Sequence, residues 1–179
     1  SSAASDVYKR QINAHIHTGL TMNQLTKSFD SVSICLSKGL GSPVGSLLVA
    51  DQLTIDKAHR LRKMLGGGMR QVGVIASCGM YALENNIQRL QVDHDNAKLL
   101  ASGLASIEEL SIEFDDSQTN MVFVNCPELD RAKLEKFLFE KEIIVSNLKR
   151  GRMVCHLGIE EKDILFVIDT FKDYFKKSV

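Results

Sequence analysis

The sequence lacks the features that mark secreted, membrane-spanning and nucleic-acid-binding proteins. Its 22 basic side chains (Lys and Arg) equal its 22 acidic ones (Asp and Glu), so no net charge attracts the chain to nucleic acid or to an anionic membrane. No apolar run approaches the about 20 residues that a membrane-spanning helix needs. No apolar segment with a charged flank opens the chain, as it would in a signal peptide. We therefore expect a cytoplasmic protein with neither a nucleic-acid nor a membrane partner.

Clustered cysteines and metal ligands are absent as well. The cysteines are widely spaced and form no C-x-x-C pair: Cys35, Cys78, Cys126 and Cys155. This spacing suits neither a zinc site nor a disulfide framework, so we expect reduced thiols in a hydrophobic core. His15 and His17 have an H-x-H spacing, but no carboxylate or cysteine cluster supports a metal site around them. We predict no metal.

What is present is an average globular composition, with 44% hydrophobic and 25% charged residues. Residues 1–11 are polar and show no apolar period, which predicts a disordered or foreign extension. Residues 12–104 are predicted to form part of an α/β domain. Residues 105–179 are predicted to form a small α+β domain, connected to the first by a long helix over Gln88–Leu104.

Hydrophobic periodicity predicts helices and strands along most of the chain. The predicted helices cover Asn13–His17, Thr21–Lys27, Asp56–Leu65, Val72–Glu84, Gln88–Leu104, Asp130–Glu140 and a closing segment marked by Ile164, Ile168, Phe171 and Phe175. The predicted strands cover Ser31–Leu36, Val44–Ala50, Leu110–Phe114, Met121–Asn125, Ile143–Val145 and Arg152–His156. Thr21 and Asp130 are expected to cap their helices. The small side chains of Val72–Glu84 predict a helix buried against its neighbours.

Lys38 is the first candidate for chemistry. It follows the Ser31–Leu36 strand, on the same alternation face as the apolar residues, in the turn Ser37-Lys-Gly-Leu-Gly-Ser-Pro43. A partly desolvated amine is a nucleophile and condenses with an aldehyde cofactor. Gly39 and Gly41 are expected to let the backbone approach a flat ring. The alternative is a surface lysine whose stem lies beside a turn.

Several segments resemble, in order and in spacing, the motifs of the low-specificity L-threonine aldolases. The segments are Asp30–Ser46 around Lys38, Arg62-Lys-Met-Leu-Gly-Gly-Gly-Met-Arg-Gln71, Asp93-His-Asp-Asn-Ala97, Thr119-Asn-Met-Val122 and Gly151-Arg-Met-Val-Cys-His156. That family contains pyridoxal-phosphate enzymes of the aspartate-aminotransferase-like fold. The resemblance runs from Asn13 to the end of the chain. It implies part of the large domain of a fold-type-I, pyridoxal-phosphate-dependent transferase-like α/β protein, followed by a small carboxy-terminal α+β domain.

By this resemblance, Lys38 is similar to the lysine that bonds covalently to pyridoxal phosphate. Arg152 is similar to the arginine that binds the carboxylate of the substrate, a role suited to its planar fork. The alternative for Arg152 is a surface arginine paired with Glu160 or Glu161. The resemblance implies cleavage of L-threonine or L-allo-threonine to glycine and acetaldehyde, in threonine breakdown and glycine formation. It also implies a homodimer or homotetramer.

The sequence departs from the family at its beginning. The family has an amino-terminal half that this sequence lacks, with residues that hold the phosphate and ring of the cofactor. Where the family has an Asp-Gly-Ala-Arg strand end, Val7 stands at the aspartate position and Arg10 at the arginine position. Lys63 and Arg70 resemble residues near the active-site region and are assigned no role. A catalytically inactive fragment and a fold-type-I β-eliminating lyase remain as alternatives.

Overall fold

The computed structural model describes residues 10–115, 119–145 and 147–176. These residues divide into two compact units, one up to Leu90 and one from Gln91. The sequence predicts this boundary later, after Leu104. The observed boundary is earlier because the helix that begins at Leu90 contributes Ala97, Leu100 and Leu104 to the core of the second unit. Most of the predicted extension lies outside the described residues, and its last residue, Gln11, begins a helix.

The first unit contains four helices and a two-stranded antiparallel sheet. The elements are α1 (Gln11–Thr18), α2 (Met22–Thr26), β1 (Ser31–Cys35), β2 (Ser46–Ala50), α3 (Gln52–Met64) and α4 (Gly73–Asn85). Each of them overlaps a predicted element. Thr21 caps α2 as predicted. The side chain of Gln24 in turn accepts a 2.8 Å hydrogen bond from the backbone N–H of Thr21. Helix α3 begins earlier than predicted because the Asp51 side chain accepts a 2.8 Å hydrogen bond from the Thr54 N–H.

The core of the first unit is small. Its buried apolar residues are Ile12, Leu36, Leu40, Ala82 and Leu90. The prediction of a buried Val72–Glu84 helix is wrong, because Gly79 and Ala82 are the buried residues of α4. Val74 and Tyr81 of the same helix are 73% and 64% exposed. Small side chains permit close packing, but nothing in the described part of the first unit covers most of this helix.

The second unit contains three further helices and a three-stranded antiparallel sheet. Its elements are α5 (Leu90–Ala105), β3 (Ser111–Glu113), β4 (Met121–Asn125), α6 (Glu128–Glu140), β5 (Lys149–Val154) and α7 (Glu161–Lys176). The strand order is β3-β4-β5, which places β5 at an edge. Val122 and Val124 of β4 are fully buried against apolar residues of α5, α6 and α7. This core confirms the apolar stripes predicted for α5 and α7.

Three local predictions in the second unit are wrong. Residues 143–145 form no strand, because the Ile143 N–H donates to the Leu138 carbonyl at 2.9 Å and closes the end of α6. Helix α6 begins directly after Pro127, so Asp130 lies in its first turn and does not cap it. An acidic side chain there still interacts favourably with the helix dipole. Strand β5 ends at Val154, before the predicted end at His156.

The buried thiols of the second unit are expected to make its stability decrease at alkaline pH. All four cysteines are free; Cys126 and Cys155 are buried, as predicted, and the other two are half-buried. Burial raises the pKa of Cys126 and that of Cys155 from 9.0 to about 11, and the negative charge of Asp93 adds to the effect at Cys155. An unfolded chain releases these protons at lower pH than the folded one. The folded state is therefore favoured at neutral pH and loses stability as the pH rises above about 9.

We expect the free energy of unfolding to fall by about 1 kcal/mol for each thiol between about pH 9 and pH 10. Urea unfolding at a series of pH values measures this slope. The matched control is the double variant Cys126→Ala/Cys155→Ala, in which the thiol contribution is removed. An equal alkaline loss of stability in the double variant would show that other groups cause it.

Candidate functional site

Lys38 is exposed and lies in the turn between β1 and β2. The paired strands end at Cys35 and Ser46. Beyond them the Gly41 N–H donates to the Lys38 carbonyl at 2.9 Å, and the Ser42 N–H donates to the Leu36 carbonyl at 3.1 Å. The backbone of Lys38 is thus held by the turn while its side chain is open to solvent.

Local structure explains why glycine occupies two positions of this turn. A Cβ on Gly39 would lie 3.0 Å from Cδ2 of Leu90, a contact so tight that this buried leucine would have to shift by a few tenths of an ångström. Gly41 has a φ of 70°, in the left-handed region that favours glycine. The predicted close approach of Gly39 and Gly41 to a flat ring stays a prediction.

Within the described residues the side chain of Lys38 is exposed, and its partial desolvation stays a prediction. Its amine makes no hydrogen bond or ion pair within the described chain. An exposed amine with no acidic partner is accessible to an aldehyde. Within the described residues the Lys38 amine is therefore accessible.

Cys35 is a neighbour of Lys38 that the sequence did not single out as functional. Burial by itself raises the pKa of Cys35, but hydrogen bonds with Ser37 and Ser46 and the positive charge of Lys38 together lower it below its usual value. The Cys35 Sγ lies 3.5 Å from the Ser37 Oγ. A thiol three positions before a lysine, with a serine between them, is the only sequence signal of this arrangement.

Arg152 lies on the edge strand β5, opposite Phe123 of β4. Its guanidinium is exposed and pairs with no carboxylate of the described residues. The alternative pairing with Glu160 is absent, because Glu160 pairs with Lys162 at 2.7 Å. Arg152 is thus a basic group open to an external carboxylate.

Arg150, on the same strand, is differently placed. Its Nε donates to Glu113 at 2.9 Å, and its guanidinium carbon lies 4.8 Å from the centre of the Phe123 ring. Arg150 therefore already has a carboxylate and an aromatic partner, while Arg152 has neither. The two arginines form a natural comparison pair for binding experiments.

A cavity of about 310 Å³ adjoins Arg152 within the second unit. It lies between β5, residues 143–145 and the first turns of α7. Its walls are largely apolar and include Ile143, Val145, Leu148, Val154, Ile159 and Val167. A basic side chain at an apolar cavity is suited to a ligand with a carboxylate and an apolar part.

Two buried asparagines hold the chain that follows Arg152. The side-chain amide of Asn120 donates to the Cys155 carbonyl at 2.9 Å, and the Cys155 N–H donates to the Asn120 carbonyl at 2.9 Å. The side-chain amide of Asn96 donates to the Ile159 carbonyl at 3.2 Å. The structure thereby brings together three of the segments singled out in the sequence, those around Asn96, Asn120 and Arg152. Their sequence motifs gave no indication that the two asparagine side chains bond to the backbone of a distant segment.

The other predicted candidates are not assembled into a site. Lys63 and Arg70 are exposed at the ends of the segment that contains the glycine triplet. The His15 Nδ1 lies 2.6 Å from the Leu20 carbonyl, and the described residues contain no group of three His, Cys, Asp or Glu side chains that would hold a metal. Nor does any helix of the described chain have the length and apolarity to cross a membrane. Lys38 belongs to the first unit and Arg152 to the second.

Known proteins resemble this chain over most of its length. The model of the beta-eliminating lyase family matches residues 9–127. The low-specificity L-threonine aldolase 1 of Arabidopsis thaliana is 42% identical over 168 residues, which are 91% of this chain and 47% of the relative. The low-specificity L-threonine aldolase of Escherichia coli O157:H7 is 43% identical over 155 residues, which are 87% of this chain and 46% of the relative. The chain thus spans about half the length of these relatives.

A solved structure shows that the fold is shared. A candidate L-allo-threonine aldolase from Listeria monocytogenes EGD-E superposes with a TM-score of 0.72 at 19% identity, over 90% of this chain and 49% of that one. The predicted fold class, an α/β chain that represents part of a fold-type-I protein, is confirmed. Because the family model covers well over half of its residues, the chain belongs to the beta-eliminating lyase family.

Proposed function

We propose that this chain is the carboxy-terminal part of a pyridoxal-phosphate-dependent aldolase that cleaves L-threonine or L-allo-threonine to glycine and acetaldehyde. The observation that carries the proposal is the 42% identity, over 91% of the chain, to a relative named low-specificity L-threonine aldolase. Because the chain spans about half of that relative, the activity is proposed for a protein that also contains the other half.

This chain offers one group that pyridoxal phosphate requires, the amine for its covalent attachment. The cofactor binds covalently through an aldehyde, which needs an accessible primary amine. The Lys38 amine is exposed, and the turn between β1 and β2 holds its backbone. We assign Lys38 as the attachment residue. The groups that would hold the phosphate and the ring are expected, by resemblance, in the other half of the protein.

The chemistry divides between the cofactor and two side chains of this chain. Bound pyridoxal phosphate would supply an electron sink for the negative charge left on the α-carbon after Cα–Cβ cleavage. Arg152 would bind the substrate carboxylate through two parallel N–H groups and thereby fix the orientation of the amino acid. Asn96 and Asn120 would hold the chain beyond Arg152 in place through the hydrogen bonds described above.

A β-eliminating lyase is the second candidate, because the matching family model carries that name. The two reactions differ in their products: aldol cleavage of threonine gives glycine and acetaldehyde, whereas β-elimination from serine gives pyruvate and ammonia. The curated relatives named as threonine aldolases favour the first reaction.

The experiment is a fusion protein in which the amino-terminal half of the Escherichia coli relative precedes Asn13. With pyridoxal phosphate and L-threonine, or L-allo-threonine, the fusion should release equal amounts of glycine and acetaldehyde. Amino-acid chromatography measures glycine, and alcohol dehydrogenase with NADH measures acetaldehyde. The 179-residue chain alone should release neither.

The other outcomes distinguish the alternatives. Pyruvate and ammonia from L-serine, without acetaldehyde from threonine, would identify a β-eliminating lyase. A fusion that binds the cofactor covalently and forms none of these products would indicate a catalytically inactive fragment. Either result would overturn the proposed aldolase.

The proposed partners are copies of the same chain, in a homodimer or homotetramer. A cytoplasmic location is part of the same proposal, because the resemblance is to enzymes of amino-acid metabolism. Exposed apolar side chains of α3 and α4 support association: Leu53, Leu61, Met64, Val74, Met80 and Tyr81. Apolar surface of this kind is more stable when another protein surface covers it.

We expect the isolated chain to self-associate at micromolar concentration, as measured by sedimentation velocity. The double variant Leu61→Glu/Met80→Glu should shift the distribution towards monomer, because charges on these side chains oppose their burial. The matched control, Lys57→Glu/Arg60→Glu, changes exposed polar positions of α3 and should leave association in place. A monodisperse unmodified monomer at micromolar concentration would contradict the prediction.

A further inference from the structure

The cavity beside Arg152 has the properties of a binding site for a small ligand. We propose that it binds short-chain aliphatic monocarboxylates, with the carboxylate at Arg152 and the alkyl chain inside the cavity. Such a ligand would compete with the amino-acid substrate for Arg152. The inference rests on the carboxylate-binding role proposed for Arg152, and it does not depend on cofactor attachment at Lys38.

The walls of the cavity favour an alkyl chain. The apolar wall residues come from three parts of the chain: Ile143 and Val145 after α6, Leu148 directly before β5 with Val154 at its end, and Val167 in α7. None of these side chains has a polar atom that would compensate for the lost hydration of a polar ligand group. Each methylene group that moves from water into such surroundings gains about 0.8 kcal/mol, or about a fourfold increase in affinity.

The charges around the cavity favour a single carboxylate. Asp163, the acidic residue of the lining, accepts a 2.9 Å hydrogen bond from the Glu160 N–H at the start of α7. The Nδ1 of His156, which also lines the cavity, lies 2.7 Å from the Leu157 carbonyl. Arg152 has no such protein partner among the described residues. It is therefore the lining residue best placed to bind an anion, and the nearby Asp163 would repel a second carboxylate.

The size of the cavity limits the ligand to a small molecule. At about 310 Å³ it lies at the lower end of the range of about 300–1,000 Å³ typical of small-molecule pockets. A chain of four to six carbons is therefore proposed over a fatty acid of membrane-lipid length. A peptide segment from the other half of the protein is the competing occupant, and the test includes it.

The test measures binding of propanoate, butanoate, pentanoate and hexanoate to the 179-residue chain by isothermal titration calorimetry. Affinity should rise about fourfold with each methylene until the cavity is full. Hexanamide, which keeps the alkyl chain but has no charge, should bind at least about tenfold more weakly than hexanoate. Equal binding of hexanamide and hexanoate, or the same affinity for propanoate and hexanoate, would overturn the proposal.

Variants locate the site. Arg152→Gln should weaken hexanoate binding at least about tenfold, while Arg150→Gln, on the same strand and outside the cavity lining, should not change it. Val167→Phe fills the cavity and should weaken hexanoate more than propanoate. Because Val167 lies in the partly buried layer of the core, Val154→Phe at a more exposed lining position repeats the test. Hexanoate binding unchanged in both cavity-filling variants, with their circular dichroism preserved, would overturn the assignment.

The fusion protein distinguishes the competing occupant. If hexanoate binds the 179-residue chain but not the fusion, a segment of the other half fills the cavity, and the carboxylate proposal is wrong for the whole protein. Cofactor binding and acetaldehyde formation by the fusion are measured separately. A failure of the proposed aldolase activity is therefore distinguishable from a failure of this binding site.

Discussion

Replacement of Lys38 by alanine should abolish both covalent cofactor attachment and threonine cleavage in the fusion protein. The amine is the only group of that side chain able to bond to the aldehyde, and an alanine offers none. Borohydride reduction followed by peptide mass spectrometry measures attachment. The unmodified fusion should carry the added mass of the reduced cofactor on the peptide that contains Lys38. The Lys38→Ala fusion should carry none and should release acetaldehyde only at the background rate.

Matched lysines test whether the loss is specific. Lys63 and Lys27 are also exposed, and both lie in the first unit. Lys63→Ala and Lys27→Ala should retain the cofactor mass on the Lys38 peptide. Lys38→Arg keeps a positive charge but not a nucleophilic amine, so it should lose attachment as completely as Lys38→Ala. Attachment to Lys63 in the unmodified protein would show that the assignment of Lys38 is wrong.

The position of Lys38 was predictable from the sequence, but the choice between a desolvated and a surface side chain was not. Period-two alternation located β1, and the glycines located the turn that follows it. Alternation reports which side chains share a face, and it carries no information about what covers that face. The first unit buries few apolar residues, and the Lys38 side chain after its first strand is exposed. Coverage depends on chain segments far away in the sequence, which a local pattern does not describe.

The errors at α4, Asp130 and residues 143–145 have a similar physical origin. The small side chains of α4 satisfied the requirement for close packing but did not supply a partner. Asp130 is a good capping residue, yet Pro127 provides an extended residue at which the helix begins earlier. Residues 143–145 have β-branched side chains, but the Ile143 N–H is already bonded to the end of α6. At Asp130 and at residues 143–145 a neighbouring interaction overrides a local preference, whereas for α4 the described part of the first unit does not supply the tertiary partner that burial requires.

The cavity beside Arg152 shows the same limit for the candidate site. Arg152 was identified through its resemblance to a family motif, and its accessibility is what a carboxylate-binding residue requires. The cavity itself was not predictable, because its walls come from the irregular segment after α6, from β5 and from α7, whose relative positions depend on the tertiary fold. The hydrogen bond of the Asn96 side chain joins residues 63 positions apart, and that of the Asn120 side chain joins residues 35 positions apart. No local sequence pattern reveals such long-range bonds.

The second large effect is expected from Arg152→Gln in the fusion protein. The variant keeps a side chain of similar size but loses the charged, two-pronged contact with the substrate carboxylate. A charged hydrogen-bonded contact of this kind contributes about 1.5–3 kcal/mol, so the KM for threonine should rise about 10- to 150-fold. The cofactor mass on Lys38 should remain, because Arg152 has no part in attachment. Arg152→Lys should be intermediate, since it keeps the charge but not the planar fork.

Arg150→Gln is the control that separates a carboxylate contact from a general effect of charge on β5. Arg150 is also exposed to solvent but is bonded to Glu113, so its loss should leave the KM for threonine unchanged. Carboxylate binding also predicts that threonine amide, which lacks the negative charge, is bound equally weakly by the unmodified and Arg152→Gln fusions. A reduced kcat with an unchanged KM in Arg152→Gln would contradict the role in substrate binding. An equal rise in KM in Arg150→Gln would show that the charge of the strand, rather than a specific contact at Arg152, attracts the substrate.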